Sequence, residues 1–360
     1  MSAVAGLESV EQGIAFPFVI AHASAVGAAA SGRLHVAALD AGAARVRHVA
    51  LDRSGRPTGE PTDLGMSAIA GMAAGPDLVV TGARTGDDRP VARGLDARGR
   101  RLWEVELPVD GVLGLWPRPA LSPEGIHVLW ATGAHAETLW HAEIAGGELG
   151  QPLAVAYDDP TRELALLSDD GALAVARTHG QPLTMEVLRI RRGDVVARRA
   201  LREAEQPVSP VFGVAGGVRM LLWVSRSLGQ VRLAELSADL EELDAANAVA
   251  RARAGERLRS VEAFSDGTTS PLAIAYETTT ADDGHVEPAP GVEPRVREPT
   301  LRARLHVGAF DPSTRATSDF LPVAVGGPGA CVGGWLEDAL LVVHAGGGGR
   351  TCLLGKARPR

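Results

Sequence analysis

The chain of 360 residues is 45% hydrophobic, 22% charged and only 4% aromatic, with a formal net charge of −8. That composition can bury a core and excludes a disordered chain, and its acidic balance argues against a nucleic-acid partner. The core must rest on Ala, Val and Leu, which suits closely approaching strands better than a large apolar ligand cavity.

The first segment, MSAVAGLESVEQG, has no basic region followed by an apolar run, so no secretory leader is expected. Tight turns then recur along the chain, each followed by an apolar strand. These are SG-RLHVAAL at 31, GPD-LVVTGA at 75, SPEG-IHVLWA at 122, DDG-ALAVA at 169, GG-VRMLLWV at 216, DGTTSP-LAIAY at 266 and ED-ALLVVHA at 337. With Gly32, Pro76, Gly125, Gly171, Gly217, Gly267 and Asp338 as anchors, the spacings are 44, 49, 46, 46, 50 and 71. A hairpin follows each apolar strand, as in VRHVALDRSGRPTGEPTDL and VARGLDARGRRLWEVELPV. DRSG, DARG, AGG and RRG are hairpin-turn chemistry between β-rich runs.

Residues 237–259, SADLEELDAANAVARARAGERLR, also read as a helix, with Ser237 as its cap and strong helix formers behind it. Register with the other hairpins favours a strand. The excess in the 71-residue spacing lies at 277–300, ETTTADDGHVEPAPGVEPRVREPT, a long polar, Pro-rich loop of the kind that is either functional or disordered. The last unit, RTCLLGKARPR, supplies one strand and stops, and the stretch before Pro17 is the natural donor of the strand it lacks. Pairing the two removes an exposed sheet edge. No apolar run is long enough to span a membrane. Two cysteines, Cys331 and Cys352, point to reduced thiols and a cytoplasmic protein rather than a disulfide scaffold. A single lysine, Lys356, among 36 basic residues fits a GC-rich genome.

Four short strands per 44–50 residues is the period of a propeller blade. Over essentially its whole length the chain resembles the seven-bladed β-propeller superfold, without the Trp-Asp signature of WD repeats. The resemblance implies one domain over 1–360, four-stranded antiparallel blades, and a ring closed by an N-terminal strand completing the last blade. It also implies that the 277–300 insertion sits in blade six, on the face of the inter-blade connections where propellers commonly bind ligands.

Most catalytic signatures are absent: there is no G-x-S-x-G elbow and no H-E-x-x-H helix. GRTCLLGK at 349–356 imitates a phosphate loop, but its glycines are one residue too far apart and Ala357 stands where Ser or Thr should be. SPEGIHVLW at 122–130 resembles a sialidase Asp-box only weakly, since Glu124 replaces the Asp. His135, Glu137 and His141 are potential metal ligands by type, yet strand register separates them, so no metal and no cofactor is expected. The acid pairs Asp87-Asp88, Asp158-Asp159 and Asp282-Asp283 read as solvated loop carboxylates, without a D-x-D-x-D-G calcium loop. Arg191, Arg192, Arg198, Arg199 and Arg202 read as edge protection on an outer hairpin.

Counting back nine residues from each anchor reaches the start of each innermost strand: Ala23, Ser67, Trp116, Arg162, Val208, Leu258 and Gly329. Their neighbours include His22, Arg118, Ser209, Arg257 and Arg259. Trp116 with Arg162, Arg259 and His22 at a channel mouth would hold a planar or carboxylate-bearing ligand by stacking and paired hydrogen bonds. A second ring, Ala38, Gly82, Trp130, Ala176, Trp223, Tyr276 and His344, reads first as packing between blades. If it rims the open face instead, Trp130, Trp223 and Tyr276 form an aromatic floor for a peptide. The function expected is a non-catalytic scaffold, monomeric, binding a peptide or protein partner through its open face, with neither nucleic acid nor membrane as partner. The alternative is a hydrolase, lyase or isomerase acting on an anionic small molecule or peptide at the channel mouth, with His22 or His135 as acid or base. An exported sugar-binding propeller is a third reading.

Overall fold

The computed structural model describes residues 7–123, 125–157, 159–169, 172–201, 205–237, 239, 246–265, 271–282, 300–337, 339–346 and 350–356. These residues are all-β. Strand β1 (Leu7–Ala15) stands apart from its neighbours in sequence, and the remaining strands fall into antiparallel sheets in chain order. Sheet 1 is β2 (Ile20–Ala30), β3 (Arg33–Asp40), β4 (Arg45–Leu51) and β5 (Thr62–Asp63). Sheet 2 is β6 (Met66–Ala74), β7 (Leu78–Arg84), β8 (Pro90–Leu95) and β9 (Arg101–Glu106). Sheet 3 is β10 (Leu113–Ser122), β11 (Gly125–Thr132) and β12 (Thr138–Ala145), with a fourth strand broken into β13 (Glu148–Leu149) and β14 (Leu153–Ala156).

Sheet 4 is β15 (Thr161–Asp169), β16 (Ala172–His179), β17 (Thr184–Arg191) and β18 (Asp194–Ala200). Sheet 5 is β19 (Pro207–Ala215), β20 (Val218–Ser225), β21 (Gln230–Leu236) and β22 (Asn247–Arg251). Sheet 6 is β23 (Arg257–Phe264), β24 (Leu272–Asp282) and β25 (Thr300–Asp311), its fourth strand again broken, into β26 (Ala316–Thr317) and β27 (Leu321–Gly326). Sheet 7 is β28 (Cys331–Leu336), β29 (Ala339–His344) and β30 (Arg350–Lys356), and β1 completes it by pairing antiparallel with β30.

The turns follow from local chemistry. Ser31-Gly32, Gly146-Gly147, Arg192-Gly193 and Gly216-Gly217 are two-residue hairpin turns with positive φ at both positions, the geometry whose twist matches the flanking strands. In DRSG the Asp52 carboxylate accepts bonds from the Ser54 N–H at 2.8 Å and the Arg56 N–H at 3.0 Å. Asp96 does the same in DARG, accepting from Arg98 and Arg100, both at 2.9 Å. Local side-chain acceptors thus hold the turn before any tertiary contact forms.

Because the innermost strands β2, β6, β10, β15, β19, β23 and β28 touch in that cyclic order, with β28 returning to β2, the sheets ring a central axis. Seven buried clusters fill the spaces between successive sheets, the last and first included. Small and branched side chains make up most of each, joined in five of them by one or two buried aromatic rings such as Trp130, Trp223 and Trp335. The region read as either helix or strand gives strand at Asn247–Arg251 and Arg257–Phe264, while 240–245 lie outside the described residues. GRTCLLGK is no phosphate loop: Arg350–Lys356 is a strand paired on both sides. Among the described residues, no helix is long and apolar enough to cross a membrane.

Candidate functional site

In every sheet the innermost strand starts, the second ends and the third starts at one end of the ring, termed here the upper face. A repeated backbone bond marks it: the residue after the second strand donates to the carbonyl just before the first. The pairs are Ala41 to Val19 at 2.8 Å, Thr85 to Gly65 at 3.1 Å, Gly133 to Val112 at 2.9 Å, Arg226 to Gln206 at 3.3 Å and Ala345 to Ala330 at 2.9 Å. Buried arginines pin the same connections. Arg93 donates to Glu104 at 2.7 Å and to the Leu64 carbonyl. Arg177 donates to Glu186 at 2.5 Å, Thr161 Oγ1 at 3.1 Å and the Asp159 carbonyl at 3.4 Å. A buried guanidinium keeps its place only when its donors are taken up in this way.

Along the axis runs a cavity of about 620 Å³ lined by innermost strands. Most of the residues that line it are small or apolar, but four charged side chains line it too: Arg118 from β10, Arg162 and Glu163 from β15, and Glu262 from β23. Ser209 of β19 joins them, held at φ 53°. Its backbone N–H donates to Glu163, and its hydroxyl takes the Val261 N–H at 3.2 Å. Arg118 donates to the Ala70 carbonyl. Enclosure lowers the Arg118 pKa, partly offset by the Glu262 and Glu163 carboxylates. Enclosure also pushes Glu262 up to about 7, against the pull of Arg118. The hub therefore holds charge of both signs and a carboxyl able to exchange a proton near neutrality.

Arg162 lines the cavity. Trp116 does not. Bulged register between Leu115 and Arg118 brings those two residues to the wall, and Trp116 is left 40% exposed. Arg259 lies on another sheet, half-exposed, with its Nε 3.5 Å from Glu277 Oε1. His22 falls on β2, and its side chain lies outside the described residues. His135 is exposed on the β11–β12 connection, where its N–H donates to Glu137 at 3.1 Å. Of Trp116, Arg162 and Arg259, only Arg162 lines the cavity.

The second ring packs between sheets rather than forming a floor. Trp130 and Trp223 are fully buried, and the Trp130 indole donates to the Pro108 carbonyl at 3.1 Å. Tyr276 is 7% exposed and stacks on His306 with centroids 4.8 Å apart. This corrects the placement of all three as peptide-contacting residues: the second strand of each sheet is covered on both faces. Loop acids are likewise engaged. Asp87 is gripped by Arg84 and lowered to about 2, Asp88 accepts from Ser67 Oγ at 2.7 Å, and Asp159 lies 3.4 Å from His179. Asp158 and Asp283 lie outside the described residues, as do 283–299 of the long insertion. Its flanks are strand, to Asp282 and from Thr300, rather than loop from 277.

Sequence reasoning missed Glu163 and Glu262. The available signal was a lone carboxylate inside an otherwise apolar innermost strand, as in SVEAF. It also missed the distribution of exposed large apolar side chains. Val19, Val112, Trp116, Tyr157, Leu228 and Leu301 lie on or beside the upper face, whereas Leu102, Leu153, Val196 and Val325 lie on outermost strands.

No family model matches the chain. No curated protein matches it in sequence. Among solved structures it is similar to the β-propeller domain of Myceliophteria thermophila Cps50 (Swd1), with a TM-score of 0.62 at 11% identity, covering 97% of this chain and 99% of that one. The fold is a β-propeller. BBS1N, solved in complex with ARL6DN, is similar at a TM-score of 0.58 and 10% identity, covering 99% of both chains. At these identities the likeness is one of fold.

Proposed function

We propose that each sheet is one blade of a single seven-bladed propeller, and that the protein is a non-catalytic scaffold whose upper face binds a peptide or protein partner. The observation that carries this reading is the group of exposed apolar side chains on or beside the upper face. Trp116 and Tyr157, 40% and 66% exposed, are the residue types that anchor interfaces. Arg162, exposed beside them in the chain order and lining the cavity, offers paired hydrogen bonds to a partner carboxylate. The neighbour BBS1N was solved with a protein bound, which supports a partner-binding role for this architecture here too.

The test is site-specific photocrosslinking in the native host, with the crosslinker at Trp116, at Tyr157, and at Val196 on the outermost strand of sheet 4 as control. A discrete adduct with the same protein from both upper-face positions, and none from Val196, is the expected result. Adducts absent at all three positions, or equal at all three, would remove the proposal.

A further inference from the structure

Outside the cavity, the described residues bring three potential ligand atoms together in sheet 3: those of His127, His141 and Glu143, all within 4.8 Å of one another. The topology explains the meeting. His127 on β11 stands directly opposite Glu143 on β12, and Leu129 stands opposite His141. Residues two apart on a strand share a face, so all three side chains project from the same side of the sheet. His127 Nδ1 lies 3.0 Å from His141 Nε2 and 3.8 Å from Glu143 Oε1.

A histidine pair alone would carry no site, because sheet 1 holds one as well. There His35 Nδ1 lies 3.1 Å from His48 Nε2 with the rings stacked, both buried. The difference lies opposite the first histidine. In sheet 1 that residue is Ala50, and in sheet 3 it is Glu143. Sheet 3 has the third donor that sheet 1 lacks, and the Glu143 side chain is 47% exposed, open to incoming ions.

The proton inventory fits ligation. The Ser122 hydroxyl lies 3.0 Å from His127 Nε2, and it also donates to the Gly125 carbonyl at 3.2 Å and accepts from the Gly125 N–H at 3.1 Å. With Ser122 accepting from Nε2, the Nδ1 lone pair is left facing His141, the outer support typical of metal-binding histidines. Ligands about 2.0–2.1 Å from a tetrahedral zinc stand roughly 3.3 Å apart. The observed separations, 3.0 Å and 3.8 Å from His127 Nδ1 and none beyond 4.8 Å, bracket that spacing.

We propose that His127, His141 and Glu143 form a site for a divalent first-row metal of the zinc type, with one coordination position left to water. His141 Nε2 gives up its contact with His127 and carries its proton on Nδ1 instead, so both imidazoles ligate in the neutral form. The site lies just beyond the β10–β11 turn, at the end of the sheet opposite the upper face, so metal loading is independent of partner binding there.

Protein stripped with a chelator is titrated with zinc by calorimetry at pH 7.5, and with cobalt by visible absorption. The expected result is one equivalent bound, with a tetrahedral cobalt band. Glu143→Ala weakens binding at least tenfold, Ser122→Ala weakens it about tenfold, and His141→Gln abolishes it. His35→Gln in sheet 1 changes nothing. Urea midpoints establish that each variant is folded; should His141→Gln fail to fold, the half-exposed Glu143 and the Ser122 variants carry the test. No zinc binding by the wild type, or stoichiometric binding unchanged by both Glu143→Ala and Ser122→Ala, overturns the proposal.

Discussion

Glu277 of sheet 6 accepts a 2.9 Å hydrogen bond from His344 of sheet 7, and both side chains are sealed from water. The same carboxylate oxygen accepts from the Gly329 N–H at 3.0 Å, in the connection between the two sheets. One acid thus fastens the joint where the last sheet meets its predecessor. Removing one partner of a buried pair leaves the other desolvated and unsatisfied, typically at about 3–5 kcal/mol. Glu277→Ala is expected to cost that much in urea unfolding, and the isosteric Glu277→Gln less. A cost below about 1 kcal/mol for Glu277→Ala would show that the joint rests on apolar packing alone.

Burial, aided by the nearby His35, lowers His48 from 6.5 to about 4. A depressed histidine pKa means that the unfolded chain binds the proton more tightly. The stability conferred is therefore whole above about pH 6.5 and is lost as pH falls towards 4, on the order of 3 kcal/mol. Glu262, raised to about 7, acts with the opposite sign as pH rises from its ordinary value near 4.5 to 7. The His48 contribution is accordingly read as a difference: His48→Gln should flatten the loss of stability between pH 7 and 4.5. Parallel pH curves for variant and wild type would refute the assignment.

Gly82 sits where the equivalent second strands carry Trp130, Trp223 and Tyr276. A Cβ added there would lie 2.1 Å from the Ala68 carbonyl oxygen and 2.8 Å from Met66 Cε. Backbone cannot step aside as a side chain can, so Gly82→Ala is expected to destabilise by about 1–3 kcal/mol or more. Chemical denaturation checks this, with Gly59→Ala as the comparison, since open space surrounds the Gly59 Cβ position and its φ is not in the left-handed region.

Tyr157→Ala removes mostly exposed surface and should move stability by no more than about 0.5 kcal/mol, whereas Trp116→Ala, at a side chain only 40% exposed, should also cost the burial of its covered part. Their effect is expected in partner affinity, with losses of about 2 kcal/mol, roughly thirtyfold, for an anchoring aromatic. Once a partner is in hand from the crosslinking, titration against it measures both variants. Full affinity in the double variant would place the contact elsewhere on the ring.

The repeat was legible because each sheet writes its own turn. Asp52, Asp96 and paired glycines such as Gly216-Gly217 act locally, and local chemistry is visible in a linear sequence. The channel residues were half legible. Superposing repeats locates the start of an innermost strand, and Arg162 follows from it, but the bulge between Leu115 and Arg118 shifts the wall from Trp116 to its neighbours. A bulge depends on how two strands meet, which the spacing of turn residues does not encode. Whether Trp130, Trp223 and Tyr276 face solvent or the next sheet depends likewise on packing between sheets, and the packing covers them. The grouping of His127 with His141 and Glu143 needs strand register, because along the chain His135 lies nearer than His127 to His141.

Leu7 is paired with Lys356, and the pairing of β1 with β30 joins the earliest-made strand of the ring to the latest. During synthesis the other sheets can form one after another as local hairpins, while β1 has no partner until β30 has left the ribosome. Closure across so long a stretch of chain carries the largest loop entropy in the fold, so it belongs late in assembly. Until then the half-made ring exposes an open strand edge at each end, the state in which such a chain is most exposed to self-association. The circle that gives the finished protein its sealed edge thus makes the nascent one depend on being completed without interruption.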